Sequence, residues 1–290
     1  MSKPVISLVA SANRFEYWMR FYNSLSGNEV PYEVVFVGDK KPNFELPSNF
    51  KYIHATCKPA QCYQIGFWAA EGDLIAWTAD DASYNYVGPH GNCPNPLDRA
   101  YAKWLEMEAA NGNDKKSVVA FRPIEDGGDV WSFHHFFGGW PHTPRMAPFA
   151  LIERDYFVNK LGGYDRRFVS GQSENDVIMR VLEDGGRVEI AMDALLYVHH
   201  RQVHPRDPNT GKEDNKFRKW YNTDRDVLEE AWVVGGRGFY EKYNALPPGE
   251  GKEAAKRSVP ISEKRLVPVE SFQKTEDVTT VSQGLKGHWN

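Results

Sequence analysis

Asp80 and Asp81 stand side by side after Thr78-Ala79 and the short apolar run Leu74-Ile75-Ala76-Trp77. Such a run suits a strand covered on both faces, and carboxylates at its carboxyl end are well placed to hold a metal-bound phosphate. The same pair also fits a solvated turn or a helix N-cap, where Asp is common. A second group of acids, Glu174 and Asp176, opens a segment in which Val177, Ile178, Val181 and Leu182 have helical spacing. First-turn acids complement a helix dipole with no chemical role, and the residues alone favour that reading. His199 and His200 follow a strand-like run over 194–198. A histidine there can complete a metal site, although a lone one is also a common hydrogen-bonded structural group. Asp39 follows the apolar run 32–37 and Gly38, where it can accept a hydrogen bond from a ribose or base, or serve the turn before Lys40-Lys41-Pro42.

The elements that must carry these residues alternate. Strands are expected over 5–10, 32–37, 51–55, 74–77, 117–122, 188–192 and 194–198, and helices over 15–25, 61–71, 97–110 and from Ser173 to Leu182. Gly66, Ala69, Ala70 and Gly72 allow close packing of a helix on a sheet, Gly72 is a candidate helix stop, and Gly185-Gly186 ends the acidic helix. The alternation predicts an α/β fold: a single large domain with a mostly parallel, helix-covered, Rossmann-like sheet. Loops are expected at 11–14, 82–96 and 124–148. The last is rich in Gly, His and aromatics, and Trp131, Phe133, Phe136, Phe137 and Trp140 either stack on sugars or fill the core, while His134-His135 read as partly exposed. A further helix is expected over 216–234, and 247–290 reads as an extended polar tail.

A chain of 290 residues, 41% hydrophobic, can bury a sizeable core. The formal net charge of -4 gives no basic field for nucleic acid or an anionic membrane. Cys57, Cys62 and Cys93 are odd in number and lack metal-type spacing, which predicts reduced thiols. The apolar start is too short for a signal-peptide core and no window reaches a membrane span, so a cytoplasmic protein is expected.

In their order, these pieces resemble the glycosyltransferases with the A-type fold, in particular the inverting, family-two-like enzymes that use nucleotide sugars. Four segments within residues 4–200 carry the resemblance: Asn13-Arg14 after the first strand with Asp39 after the second; Gln64-x-Gly66 followed by Ala70-x-Gly72; Thr78-Ala79-Asp80-Asp81 in place of Asp-x-Asp; and Leu161-Gly162-Gly163-Tyr164-Asp165 followed by Ser173-Glu174-Asn175-Asp176 and Arg180. Ala79 stands where the first Asp of Asp-x-Asp is usual, so Asp81 alone matches the metal-binding position.

The resemblance implies a nucleotide-sugar-binding half over 1–123 and an acceptor-side half over 124–204, with a helical extension over 205–246 and the tail over 247–290. It implies that Ala10, Ser11, Asn13, Arg14, Asp39, Gln64 and Asp80 hold the nucleotide sugar, a UDP-sugar. Asp81, with His199, would bind a divalent cation, Mn2+ or Mg2+, His199 tilting the choice toward Mn2+. Glu174, or Asp176 as the other candidate, would be the base that deprotonates a hydroxyl of an acceptor saccharide or other compound, giving inversion by direct displacement. A non-catalytic nucleotide-sugar or carbohydrate-binding protein is the alternative, because of Ala79. A nucleotidyltransferase is disfavoured because Ser11-Ala12-Asn13-Arg14 lacks a Gly-rich phosphate cradle.

Overall fold

The computed structural model describes residues 3–125, 147–165, 167–199, 224, 227 and 228. The aromatics and His134-His135 of the 124–148 loop, His200, and the tail lie outside the described residues.

The chain opens with β1 (Ile6–Ser11), α1 (Phe15–Ser24), β2 (Tyr32–Gly38), β3 (Phe50–His54), α2 (Pro59–Ala69) and β4 (Leu74–Trp77). Short strands β5 (Ala82–Ser83), β6 (Tyr86–Gly88) and β7 (Gly91–Cys93) precede α3 (Pro96–Ala110) and β8 (Ser117–Glu125). Then come β9 (Ala150–Glu153), a π-helical turn (Tyr156–Lys160), α4 (Ser173–Glu183) and β10 (Arg187–Val198). The strands make one eight-stranded sheet in the order β3-β2-β1-β4-β9-β8-β10-β5, with β6 and β7 as a separate hairpin. Pairing among β3, β2, β1 and β4 is parallel throughout, as is β8 with β10. β9 runs antiparallel between β4 and β8, and β5 antiparallel to β10.

Strand alternation sends side chains to two cores. Val9, Val35, Ile75, Trp77 and Ile152 pack with α2, the π-turn and α4. Leu8, Ala10, Phe36, Ala76 and Leu151 pack on the other face with Trp18 and Phe21 of α1 and Trp104 of α3. The expected mostly parallel, helix-covered sheet is therefore present, with four differences of detail. β9 lies where no strand is expected. The two strands expected over 188–192 and 194–198 are one, β10, whose register against β8 shifts between Ile190 and Leu195. The loop expected over 82–96 contains β5 and the β6–β7 hairpin. α2 starts at Pro59 and ends before Ala70, whose backbone is extended, so Gly72 is not the helix stop. Gly72 matters instead for close approach: its N–H donates to Ser7 Oγ at 2.8 Å, and a Cβ there would meet Ser7 N at 2.7 Å. Gly66 likewise seats α2 on Val9 of β1, where a Cβ would come within 2.4 Å of Cγ1.

Candidate functional site

The carboxyl ends of β1, β2 and β4 meet at one edge of the sheet. β1 passes into residues 12–14, whose path is held by Ala12 N–H donating to Val37 O at 2.8 Å. The adjoining Gly38 has no room for a side chain, since a Cβ would lie 1.7 Å from Ala12 O. β4 ends as Thr78 N–H donates to Val9 O at 2.9 Å, and Asp80 and Asp81 follow. Both are buried, at 0% and 2% exposure.

Asp80 is consumed by the loop after β1. Its Oδ2 accepts from the main-chain N–H groups of Asn13 and Arg14, both at 3.0 Å, and from Trp18 Nε1 at 3.4 Å. Its Oδ1 takes Arg14 Nε at 2.6 Å and pairs with Nη2. Arg14 Nη1 reaches the second carboxylate, Asp81 Oδ2, at 3.3 Å. Burial works against the Arg14 charge, but Asp80 and Asp81 outweigh it and hold the guanidinium protonated beyond its ordinary range.

His199 lies beside this pair through its backbone: its N–H donates to Asp81 O at 3.0 Å. Its imidazole is turned to other partners, with Nδ1 2.9 Å from Arg20 Nη1 and Nε2 3.1 Å from Ser83 Oγ. An arginine can only donate, so Nδ1 accepts and Nε2 carries the proton. Asp39 follows the end of β2, and its Oδ1 is a buried carboxylate oxygen with no hydrogen-bond partner. An unsatisfied buried acceptor is costly, and a ribose or base hydroxyl or amine would satisfy it.

Gln64 is buried and engaged within the fold. Its amide clamps the Gly-Gly-Tyr segment: Nε2 donates to Gly162 O at 3.2 Å, and Oε1 accepts from Tyr164 N–H at 2.8 Å. Gly162 and Gly163 have φ of 82° and 70°, and a Cβ on Gly163 would meet Gln64 Oε1 at 2.3 Å. Ala10 is also withdrawn, fully buried in the α1-side core, while Ser11 ends β1 and Asn13 is partly exposed.

Across the site, the first turn of α4 presents two acids in different surroundings. Asp176 is fully buried, and its Oδ2 takes Arg180 Nε at 2.8 Å one helical turn away. Arg180 also donates to Leu161 O and Gly163 O, each at 2.6 Å, so this pair fastens α4 to the Gly-Gly-Tyr segment. Glu174 is partly exposed, near Ser173 Oγ at 3.5 Å. Crowding by protein raises its pKa above the usual carboxylate range, and the charge of Asp224 adds to this, against opposing hydrogen bonds from its own N–H and Ser173.

Three of the contributing residues carried no signal in the sequence, Tyr63, Arg20 and Asp224, whereas Tyr164 stands in the Gly-Gly-Tyr-Asp motif. The Tyr63 hydroxyl donates to Thr78 O, and its ring lies 5.8 Å from that of Tyr164. Burial raises the Tyr63 pKa first, and the charges of Asp80, Glu174 and Asp81 all raise it further, so both acidic groups act on one phenol. Asp224 accepts from the N–H groups of Val169, Ser170 and Gly171 at 2.8, 2.6 and 2.9 Å, fixing the approach to α4. It lies within the helix expected over 216–234, of which Asp224, Val227 and Leu228 are described and helical.

The donor set can be tested against a divalent ion. Among the described residues no group of three or more His, Cys, Asp or Glu side chains gathers as a protein-only cage. Mg2+ and similar ions are commonly held by one or two carboxylates plus substrate phosphates, and Asp81, at the carboxyl end of a buried strand, fits that smaller role. His199 would join only by giving up Arg20 or Ser83. No helix among the described residues is long and apolar enough to cross a membrane.

No family model and no curated protein matches the chain. Among solved structures it is similar to S. aureus TarS 1-349 in complex with UDP, with TM-score 0.52 and 14% identity over 90% of this chain and 68% of that one. For TarS 1-349 in complex with UDP-GlcNAc the TM-score is 0.52 and the identity 12%, over 91% and 70%. For the longer S. aureus TarS the values are 0.51 and 15%, over 98% of this chain and 54% of that one. In a further TarS 1-349 structure the chain spans 61% of its neighbour. The mixed, mostly parallel sheet covered by helices is the A-type fold of the glycosyltransferases.

Proposed function

We propose that the chain is a metal-dependent glycosyltransferase that moves a sugar from a nucleoside diphosphate donor, a UDP-sugar, to an acceptor hydroxyl with inversion. The observation that carries this reading is that Asp39, with its unsatisfied buried oxygen, and the buried pair Asp80-Asp81 follow the carboxyl ends of β2 and β4, the two parallel strands that flank β1. Binding of UDP and UDP-GlcNAc by neighbours with the same fold supports the choice of donor class.

Asp39, with its unsatisfied oxygen, receives the nucleoside, and residues 11–14, held in place by Asp80, line the same edge. Asp81 would hold Mn2+ or Mg2+, and that ion would supply neutralisation of the charge developing on the leaving diphosphate. Glu174 accepts the proton of the acceptor hydroxyl as that oxygen attacks the anomeric carbon. The bond from that carbon to the diphosphate oxygen breaks, and its electron pair leaves with the diphosphate. Of the two acids in the first turn of α4, Glu174 is the one with solvent access and a raised pKa, as a general base needs. Asp176, buried against Arg180, positions the helix.

The second reading, a non-catalytic nucleotide-sugar or carbohydrate-binding protein, is favoured by Ala79 and by the commitment of Asp80 to Arg14. Turnover separates the two. UDP-sugars should raise the melting temperature in a Mn2+-dependent way under both readings, because ligand binding stabilises by mass action. Slow release of UDP from the stabilising donor should be seen in the wild type and lost in Glu174→Gln only if the chain is a transferase.

A further inference from the structure

Cys57 and Cys62 lie where β3 hands over to α2, and their sulfurs are 3.3 Å apart. Cys57 sits in the connection and is partly exposed, whereas Cys62, in the first turns of α2, is buried. Cys62 Sγ is held near the loop backbone, 3.7 Å from Cys57 O. Its surroundings are the apolar ends of β2 and β3, with Val37, Ala55 and Ile65 around it. The third cysteine is elsewhere: Cys93 is buried on the β6–β7 hairpin, its Sγ 3.1 Å from Asp193 O. The two neighbouring thiols therefore have each other, and no third thiol competes among the described residues. The hydrogen bond that Cys57 donates to Cys62 and burial both hold the Cys57 thiol protonated, and the Asp39 carboxylate adds to the effect.

We propose that Cys57 and Cys62 are a dithiol–disulfide pair, a modification site that a low-molecular-weight disulfide such as oxidised glutathione converts to a bond tying the β3–α2 connection to α2. Cys57, the accessible thiol, gives its proton to a solvent base and attacks one sulfur of the small disulfide, breaking that S–S bond and releasing one thiolate, which takes up a proton. Cys62, already in contact, attacks the Cys57 sulfur of the mixed disulfide and releases the second. The chain loses two electrons and two protons, and the small disulfide becomes two thiols. The sulfurs close from contact to the bonded separation of about 2.05 Å, so the bond asks for a small local movement.

The test equilibrates the full chain in glutathione buffers of stepped potential, quenches with acid, alkylates free thiols after unfolding and maps them by peptide mass spectrometry. The pair should leave the alkylated pool together in one two-electron transition, appearing as a single cross-linked peptide, while Cys93 stays alkylated throughout. In Cys62→Ser, Cys57 should instead collect glutathione as a lasting mixed disulfide, and in Cys57→Ser, Cys62 should remain a free thiol. The proposal is overturned if both thiols stay alkylated at every potential, or if the wild-type chain accumulates glutathione on Cys57 with Cys62 still free. Neither result depends on whether the chain binds a nucleotide sugar.

Discussion

Arg14 and Asp80 are joined through both main chain and side chain: the carboxylate that follows β4 accepts from the Arg14 backbone N–H at 3.0 Å and from its Nε at 2.6 Å. One buried acid thus fixes the loop after β1 and neutralises itself, which leaves the neighbouring Asp81 as the carboxylate with a looser hold on the same guanidinium, at 3.3 Å.

The two acids should therefore respond differently to loss of charge. Asp80→Asn should destabilise the fold by about 3 kcal/mol, at the lower end for removing one partner of a buried pair because Arg14 is 22% exposed. Asp81→Asn should cost less than about 1.5 kcal/mol, the scale of a single modest hydrogen bond. Urea unfolding of the two variants decides this, and equal losses would contradict the division of roles.

The Gln64 clamp predicts non-additivity. Gln64→Ala strands Gly162 O and Tyr164 N–H and should cost roughly 2–3 kcal/mol. Gly163→Ala forces Ala to φ near 70° and drives its Cβ onto the Gln64 amide, so it should cost at least as much. In the double variant the collision is gone and only the backbone strain and the lost bonds remain. Its cost should fall short of the sum by about 1 kcal/mol or more, and simple additivity would count against the clamp.

That clamp also marks how far the sequence could be read. Gln64-x-Gly66 and Gly162-Gly163-Tyr164 are each visible as motifs, yet they are bonded to each other across separations of 98 and 100 residues, which no local pattern encodes. The parallel strands β1, β2 and β4 announce themselves as apolar runs covered on both faces. β9 does not, because Ala150–Glu153 is four residues long and owes its place to antiparallel pairing with β4 and β8. β10 reads in the sequence as two runs parted at Asp193, which in the structure is an exposed residue within the register shift between Ile190 and Leu195. Within the candidate site, the positions of Asp39, Asp81 and Glu174 at strand and helix ends were legible, and their roles stand as proposals. The structural duties of Asp80, Asp176 and Gln64 were not, because each depends on a partner supplied by the fold.

Glu174 gives a pH dependence with a definite sign. Its folded pKa is raised, so the folded chain holds the proton more tightly than the unfolded chain. That contribution to stability is full below the ordinary carboxylate value, about 4.3, and is lost as pH rises through the raised folded value. Glu174→Gln should accordingly be more stable relative to wild type at neutral pH than at pH about 4. Transfer should rise with pH as Glu174 ionises, and the variant should lose about two to four orders of magnitude in rate while keeping donor affinity. Melting curves and pH–rate profiles check both, and an unchanged rate in Glu174→Gln would remove it as the base.

The central claim is that Asp81 makes donor binding depend on a divalent cation. Calorimetric titration of UDP into wild type, Asp81→Ala and His199→Ala, each with Mn2+ and with a chelator, tests it directly. Wild type should bind UDP only with Mn2+, Asp81→Ala should lose that binding while remaining folded, and His199→Ala should keep it because its imidazole is engaged with Arg20 and Ser83. Unchanged Mn2+-dependent binding in Asp81→Ala, or no binding of UDP by the wild type in either condition, would contradict the account.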